Sequence, residues 1–309
     1  MSFIHIGYRR HDSWFNYLRK YVDGYRLIYP PEKKFIVDQM KSSSKWFIEH
    51  LKGYRPDVVF VQSAINYNAK FIRNLRQTIP DTKIIGHHNS KGYSKAFREY
   101  DTLFVGMNST REEFIKDGVN ARLIDNAYDP EMGDNLRDLP LIHNVLCSGS
   151  LILKRGYHRK RMRCIVAMIK AGIPIQLDAR LDKYRRYPKA IMRLNTEPTS
   201  GKLYRQIIKS HPIVFNCHAD LATEATNMRM FEVCGIGSLL ITDHLPGIER
   251  LFTPGKEVLT YVNESELIYH VKWALNNSHE ARKIAEAGKR RVFREHLVKH
   301  RANQFQPKQ

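Results

Sequence analysis

The chain has 309 residues, of which 51 are Lys or Arg and 31 are Asp or Glu, so its formal net charge is +20. At about 100–200 residues per domain, this length favours two domains. A hydrophobic share of 42% argues against a disordered chain, and no apolar run approaches the roughly 18 residues of a membrane span. The first residues place an apolar run before a basic pair, which is the wrong order for a signal peptide. We therefore expect a cytoplasmic protein, and the four scattered cysteines predict neither a zinc site nor a disulfide framework.

Short apolar runs bounded by Gly, Pro, Asp or Asn predict the strands of the N-terminal half. These strands are residues 3–6, 26–29, 58–61, 83–85, 103–105 and 122–124. Amphipathic stretches between them predict helices over residues 12–21, 41–51, 69–77 and 110–117. Residues 109–112, Ser-Thr-Arg-Glu, are typical of the start of the last helix. This alternation indicates a parallel sheet with helices on both faces.

The same alternation restarts after a polar break at residues 129–135. Further strands are predicted at residues 145–147, 173–177, 213–216, 239–242 and 258–261, and clear helices at residues 264–275 and 280–300. The six residues 304–309 predict a disordered tail. We expect an α/β fold with two Rossmann-like domains, residues 1–140 and 141–309, facing each other across a cleft. The C-terminal helix could cross back to the N-terminal domain.

Positive charge is concentrated in the second half, where residues 141–309 carry a net +15 against +5 for residues 1–140. Residues 139–177 contain no acid, although six of the ten residues 154–163 are basic. A second cluster follows and consists of Arg180, Lys183, Arg185, Arg186, Lys189 and Arg193. Such clusters indicate an anionic partner, which could be a phosphate-bearing small molecule, a membrane surface or nucleic acid. For either cluster alone, a solvated helix face is the alternative.

Residues 216–237 carry the most informative polar pattern, in which seven residues separate Glu224 from Glu232. A helix that begins at Thr226 would turn free backbone N–H groups toward an anion. Glu232 would then lie about two turns along, where its carboxylate could bind a ribose diol. Its neighbours Phe231 and Val233 are apolar, so a carboxylate buried there needs a polar partner. The spacing alone is a weak signal, because charged helices produce it by chance.

These motifs resemble a known family. Residues 211–300 resemble the C-terminal half of the glycosyl transferases group 1 superfamily with the GT-B fold, and they are most similar to its spore-maturation-protein-like branch. The matching segments are 213–216, 227–237, 239–243, 251–257, 261–267, 281–288 and 300–302. Residues 147–150 resemble the strand and loop that open the nucleotide-binding domain, and residues 123–130 resemble the interdomain junction. The resemblance is strong over residues 100–302 and thin over residues 1–80.

The resemblance implies a glycosyltransferase that is metal-independent and retaining, with a nucleotide sugar as co-substrate and no cofactor. It implies that Glu232 holds the ribose and that Glu224 faces the sugar as a catalytic residue. Charge that develops on the departing diphosphate must then be stabilised by cations and a helix N-terminus. The diphosphate contacts are expected from Gly149, Ser150, Thr226, Asn227 and Met228, with Arg155, Arg159 and Arg229 as the cations.

The N-terminal half offers further candidates. His87 and His88 follow a predicted strand, and in related enzymes a His or an acid near this position contacts the donor sugar. Gly7, Arg9 and Arg10 follow the first strand and are acceptor-side candidates, because glycine allows close approach of the backbone. A plain tight turn explains Gly7 equally well. The chain has no Asp-x-Asp motif and no cluster with metal-ligand spacing, so we predict no metal.

Two interpretations of another class stay open. The protein could bind nucleic acid, or glycosylate DNA, through its basic C-terminal half, although no nucleic-acid motif supports this beyond charge. It could also be a non-catalytic scaffold with the GT-B fold. For the glycosyltransferase, we expect an anionic acceptor such as a lipid-linked glycan or DNA, and the protein could contact the inner membrane surface peripherally.

Overall fold

The computed structural model describes residues 2–6, 14–22, 24–28, 47–89, 92–182 and 185–305. The chain divides into two compact units, the first formed by Met1–Asp125 together with Val298–Gln309, and the second by Asn126–Leu297. The units thus differ from the predicted domains in two respects. The first boundary falls at Asp125, before the predicted residue 140, and the C-terminal segment belongs to the first unit.

The first unit is built on a six-stranded parallel sheet in the order β2-β1-β3-β4-β5-β6. Its strands are β1 (Phe3–Ile6), β2 (Tyr25–Ile28), β3 (Val58–Val61), β4 (Lys83–His88), β5 (Thr102–Val105) and β6 (Ala121–Leu123). From the N-terminal part of the chain it has the helices α1 (Ala69–Thr78) and α2 (Asn108–Lys116), the helical residues 47–51, and 3-10 turns at Trp14–Lys20, Ala64–Asn66 and Lys95–Glu99. The C-terminal segment adds the helix Val298–Ala302. All four residues of β3 are buried, as expected for a parallel strand covered on both faces.

The second unit repeats this plan with the parallel order β12-β11-β10-β7-β8-β9. Its strands are β7 (Val145–Leu151), β8 (Ile175–Leu181), β9 (Asn195–Thr196), β10 (Ile213–Asn216), β11 (Leu239–Asp243) and β12 (Leu259–Tyr261). Its helices are α3 (Arg159–Lys170), α4 (Lys189–Leu194), α5 (Gly201–Ser210), α6 (Met228–Ile236), α7 (Ile248–Leu251), α8 (Glu264–Asn276) and α9 (Ser278–Glu295), with 3-10 turns at Pro130–Met132 and Lys154–Gly156. The predicted α/β architecture with parallel sheets is confirmed.

Among the strands that extend beyond their predicted ends, two carry candidate residues. β7 continues to Leu151, so Gly149 and Ser150 lie within the strand and not in a following loop. β4 continues through His87 and His88, which are therefore the last residues of the strand. In β7, pairing with the seven-residue strand β8 outweighs the local sequence signal, and in β4 the two histidines pair with Phe104 and Val105 of β5. Ser150, for example, is paired in register with Arg180 of β8.

Two helix boundaries also differ. α2 begins at Asn108 and Met107 is its N-cap, so the predicted start at residues 109–112 lies inside the helix. The predicted helix over residues 280–300 is two helices, α9 and α10 (Val298–Ala302), separated at His296 and Leu297. The interruption coincides with the boundary between the two units.

The C-terminal segment supplies a core residue to the first unit. Phe305 is fully buried, and its ring lies 5.0 Å from the ring of Phe60 on β3 and 5.0 Å from that of Phe104 on β5. The expected return of the C-terminal helix to the N-terminal domain is therefore confirmed. The expectation of disorder is wrong at Phe305, because burying an aromatic ring stabilises the segment.

Chain order places a topological switch point in the second sheet. β8 and β9 extend the sheet on one side of β7, whereas β10, β11 and β12 lie on its other side. Ligands of open α/β sheets bind outside the carboxyl ends of the strands at such a point. In this unit, that edge carries the last residues of β7 and β10.

Among the helices that the structure describes, none combines the length and apolar character needed to cross a membrane.

Candidate active site

Gly149 and Arg229, two candidates from separate motifs, are in contact at the end of β7. Gly149 has φ of +116°, in the region that favours glycine, and a Cβ at this position would collide with Nη2 of Arg229. Glycine is therefore required here both by its backbone conformation and by the close approach of the guanidinium group.

The Arg229 guanidinium is held in place by neutral polar groups. Its Nε donates to the hydroxyl of Tyr204 across 3.0 Å, and its Nη1 donates to Oδ1 of Asn216 across 3.1 Å. Burial alone would lower the pKa of Arg229, but Tyr204 and the negative charge of Glu232 raise it above its ordinary value. The site thus holds a fixed positive charge beside the backbone of β7.

The segment before α6 joins the helix to the end of β10. Asn227 is the N-cap of α6, and its Oδ1 accepts a hydrogen bond from the backbone N–H of Arg229 at 2.8 Å. Its Nδ2 donates to Oδ1 of Asn216, the last residue of β10, at 2.9 Å. The helix begins at Met228 and not at the predicted Thr226, because the chain bends to make this cap. The N-terminus of α6 is thereby placed at the switch point, with its positive dipole end at the edge of the sheet.

Glu232 lies on the buried side of α6 with 7% of its surface exposed. It is four residues after Met228 and so only a little more than one turn into the helix, not two. Burial, followed by the negative charge of Glu232, raises the pKa of Tyr204 to about 12, although the charge of Arg229 opposes this shift. The negative charge of Glu232 therefore acts on both Tyr204 and Arg229.

Glu224 and Thr226 lie on the loop that leads into α6. Glu224 is half-buried and precedes the helix by four residues. The N–H of Thr226 donates to Nε2 of His218 across 3.3 Å, and the carbonyl of Thr226 accepts from Nδ2 of Asn126. His218 and Asn126, which both lie outside the loop, thus bond to the backbone N–H and the carbonyl of Thr226.

Several groups of the basic segment 154–163 bond to partners elsewhere in the second unit. The backbone N–H groups of Arg159 and Lys160, which open α3, donate to the carboxylate of Asp220 at 3.1 and 3.2 Å. Asp220 therefore occupies the N-terminus of α3. The Arg159 side chain is exposed, and that of Arg155 is outside the described part of the chain. Of the three cation candidates, Arg229 is the one in contact with Gly149 among the described side chains.

Arg161, which the sequence analysis did not single out, joins the ends of the two central strands. Only 6% of it is exposed, and its Nη1 donates to the carbonyl of Ser150 at 2.6 Å while its Nε donates to that of Cys217 at 3.1 Å. Burial, and then the nearby charge of Arg229, lower the pKa of Arg161 to about 10. Two neighbouring guanidinium groups at one sheet edge create a positive potential that favours an anion.

The remaining partners come from positions far along the chain. Lys160 Nζ pairs with Oδ2 of Asp243 at 3.2 Å, and Arg163 Nε pairs with Oε1 of Glu264 at 3.3 Å. The lack of acids in residues 139–177 therefore does not leave this cluster unpaired. Sequence spacing could not show this, because the fold brings α3 to the end of β11 and the start of α8, which are 80 or more positions away in the chain.

The histidine candidates lie in the first unit. His88 is 2% exposed, and its ring packs against Phe97 at 4.9 Å. His87 is partly exposed and packs edge-on against Phe15 at 4.6 Å. Burial, with the charges of His88 and His5, lowers the pKa of His87 to about 3. His87 is consequently neutral at physiological pH. The other N-terminal candidates, Gly7, Arg9 and Arg10, lie outside the described residues.

In the part of the chain that the structure describes, no three His, Cys, Asp or Glu side chains are grouped closely enough to hold a metal ion. The cysteines Cys147, Cys164, Cys217 and Cys234 are buried free thiols.

Residues 159–306 match the family model described as "Glycosyl transferase-like". These residues form a glycosyl transferase-like domain. The match includes α3, α6 and the whole segment from Asn216 to Gly237, which carries most of the candidate site. No curated protein matches the chain in sequence.

Solved structures show that the glycosyl transferase-like domain belongs to a GT-B fold. Sucrose-phosphate synthase from Thermosynechococcus elongatus has a TM-score of 0.68 and 12% identity, with 98% of this chain and 97% of that chain covered. HepE of Anabaena in complex with UDP-glucose has a TM-score of 0.69 and 12% identity, with 98% of each chain covered. AviGT4, a glycosyltransferase of avilamycin A biosynthesis, has a TM-score of 0.65 and 13% identity, with 99% of this chain and 96% of that chain covered. The predicted GT-B fold is confirmed, and the family match extends over residues 159–306, while the spore-maturation-protein-like branch stays a prediction.

Proposed function

We propose that the protein is a nucleotide-sugar-dependent glycosyltransferase whose donor binds at the carboxyl ends of β7 and β10. The observation that carries this proposal is the contact between Gly149 and the fixed guanidinium of Arg229 at the switch point. A backbone without a side chain, a cation and a helix N-terminus together suit a diphosphate.

The proposed roles follow from this placement. Arg229, with the positive potential of Arg161, stabilises the charge that develops on the leaving diphosphate. Glu232 binds the ribose, and Glu224 faces the sugar from the loop before α6. The reaction needs no metal and retains the anomeric configuration. Of the two histidines, His87 is the stronger catalytic candidate, because His88 is buried among aromatic rings.

UDP-sugars are the first donors to test. HepE of Anabaena was solved in complex with UDP-glucose, and an E. coli protein of the same fold, with a TM-score of 0.67, was bound with UDP-2-fluoro glucose. Fold alone does not determine the donor, so the choice must be measured.

A thermal-shift panel of UDP-, GDP-, CMP- and dTDP-sugars tests the proposal. A ligand present at 100 times its Kd should stabilise the folded protein by about 2.7 kcal/mol. The preferred donor should then release its nucleoside diphosphate slowly in water and faster with an acceptor. Stabilisation by none of these sugars at millimolar concentration would contradict the proposal.

We also propose that the acceptor, or the surface carrying it, is anionic and lies at the cytoplasmic membrane leaflet. This rests on the basic patch, which we define as Arg180, Arg185, Arg186, Lys189 and Arg193; Lys183 lies outside the described residues. All five side chains are exposed, and none forms an ion pair within the described part of the chain. Met192, 56% exposed, adds apolar surface beside them. An exposed apolar side chain among cations suits an anionic lipid–water interface. The nucleic-acid alternative depends on charge alone.

A further inference from the structure

Behind the loop that carries Glu224, two buried polar side chains form a pair to which none of the roles above is assigned. His218 is 2% exposed and lies two residues after β10, and Asp243, 1% exposed, is the last residue of β11. His218 Nδ1 lies 2.7 Å from Oδ1 of Asp243, and the backbone N–H of His218 donates to the same oxygen at 3.0 Å. The pair is therefore held in one orientation.

We infer that His218, oriented by Asp243, is a positioning residue that fixes the peptide of Thr226 and with it the loop between Glu224 and α6. This inference rests on the proposed function, because it assigns the loop a task in sugar transfer. His218 itself touches no substrate in this scheme and acts through the backbone of Thr226.

The protonation state of the pair follows from its surroundings. Burial alone would raise the pKa of Asp243, but the hydrogen bonds from His218 and the charge of Lys160 lower it to about 2. Asp243 is thus an ionised carboxylate that only accepts hydrogen bonds. Because the N–H of Thr226 donates to Nε2 of His218, that nitrogen is the acceptor, and Nδ1 carries the proton that faces Asp243.

Nε2 of His218 accepts a hydrogen bond from the loop that carries Glu224. The backbone N–H of Thr226 donates to Nε2 of His218 at 3.3 Å, and on the opposite side Asn126 donates to the carbonyl of Thr226. Thr226 lies two residues after Glu224 and two before the first residue of α6. Rotation of this residue would therefore displace Glu224.

Arg229 and Glu232 are anchored differently. Arg229 is held by Tyr204 and Asn216, and the start of α6 by the Asn227 cap. Loss of the His218 contact should consequently disturb the sugar side of the site more than the nucleotide side. The expected signature is a fall in kcat with little change in affinity for the nucleoside diphosphate.

Two amide substitutions separate the two contacts of His218. In His218→Gln, the amide nitrogen can donate to Asp243 while the amide oxygen reaches Thr226. In His218→Asn, the shorter side chain can still donate to Asp243 but cannot reach Thr226. We expect His218→Asn to lower kcat for donor hydrolysis by about 10–100-fold, a range typical of residues that orient the ligand-contacting residues of a site. The Kd for UDP should change less than about threefold. His218→Gln should restore most of kcat.

Hydrogen exchange of a peptide spanning residues 224–228 gives a readout that does not depend on catalysis. Exchange should be faster in His218→Asn than in His218→Gln or the wild type, while the buried strand β10 stays equally protected in all three. Asn126→Ala, which removes the contact on the carbonyl side, should also accelerate exchange of this peptide.

The outcomes separate the two proposals. Equal exchange in both His218 variants, or an equal loss of kcat in both, would overturn the positioning role even if nucleotide sugars bind. Faster exchange in His218→Asn, with no nucleotide sugar bound by the wild type, would instead overturn the proposed function and leave His218 as the residue that fixes this loop.

Discussion

The guanidinium group of Arg229 lies against the backbone of Gly149, so that a Cβ at residue 149 would overlap with Nη2. This contact joins the first turn of α6 to the end of β7, two elements that are separated by about 80 residues in the chain. It also explains why a strand interior carries a glycine with φ of +116°, which otherwise weakens a strand. In the proposed site, the backbone of Gly149 and the guanidinium of Arg229 would bind the same diphosphate.

Gly149→Ala should therefore destabilise the second unit and weaken donor binding. The left-handed conformation costs about 1–2 kcal/mol for a residue with a Cβ, and the overlap with Arg229 adds about 1–3 kcal/mol. Gly172→Ala is the matched control, because Gly172 has φ of +71° and open space around its Cβ position. Urea unfolding should show a larger loss of unfolding free energy for Gly149→Ala than for Gly172→Ala. The double variant Gly149→Ala, Arg229→Ala should recover the part of that loss that is due to overlap. Equal losses at the two glycines would refute the close contact.

Glu232→Ala should strongly lower kcat/KM for the donor without unfolding the protein. Loss of charged hydrogen bonds to a ribose diol costs about 2–4 kcal/mol, which corresponds to about 30–1000-fold in kcat/KM. Glu232→Gln keeps the shape and one acceptor oxygen, so its loss should be smaller. Steady-state kinetics with the preferred donor measures both variants. Full activity in Glu232→Ala would show that the ribose assignment is wrong.

The elements of this fold were largely predictable, because each is encoded by a local pattern. The run at 58–61 and the alternation around it predict a buried parallel strand whatever surrounds them. Boundaries were less predictable where tertiary pairing decides them. Gly149 and Ser150 look like loop residues, yet pairing with β8 keeps them in β7.

The candidate site was predictable only in part, for the same physical reason. The positions of Asn227 and Glu232 follow from a helix start, which is local. The polar groups that orient the site are not local: Arg161 bonds to a carbonyl of β7, and His218 pairs with an acid at the end of β11. No spacing rule links such residues, because only the order of strands in the sheet brings them together.

Activity should survive exhaustive chelation. The chain has no Asp-x-Asp motif, so the proposed site relies on Arg229, Arg161 and the N-terminus of α6 to stabilise the leaving diphosphate. Donor hydrolysis measured with and without EDTA should differ by less than about twofold, whereas Arg229→Ala should lose much more. Activity abolished by the chelator and restored by Mn²⁺ or Mg²⁺ would reopen the identity of the phosphate-binding group.

Acidification should destabilise the protein through His5. Burial lowers the pKa of this histidine from 6.5 to about 3, although a hydrogen bond to Gln62 opposes the shift. The unfolded chain therefore binds a proton below pH 6.5 that the folded protein binds only near pH 3. The stabilisation is present above pH 6.5 and is lost as pH falls toward 3, by up to about 1.4 kcal/mol per pH unit.

Urea unfolding between pH 7 and pH 4 measures this slope. His5→Gln should reduce the slope, whereas His143→Gln, at an exposed position, should leave it unchanged. A slope that is the same in all three proteins would show that His5 is not the titrating group.

The basic patch should bind anionic membranes. Each Lys or Arg near an anionic surface contributes about 1 kcal/mol, so reversing Arg180, Arg185 and Arg186 to Glu should weaken binding to phosphatidylserine vesicles by more than about 100-fold. The control reverses Lys256, Lys272 and Arg290, three exposed cations elsewhere on the second unit, with the same change in net charge. Donor binding should be unaffected in both variants, because none of these residues contacts Arg229 or Glu232. Equal loss in both would mean that net charge and not the patch attracts the surface. If the wild type does not bind vesicles at physiological salt but binds DNA with a steep salt dependence, the acceptor is a nucleic acid instead.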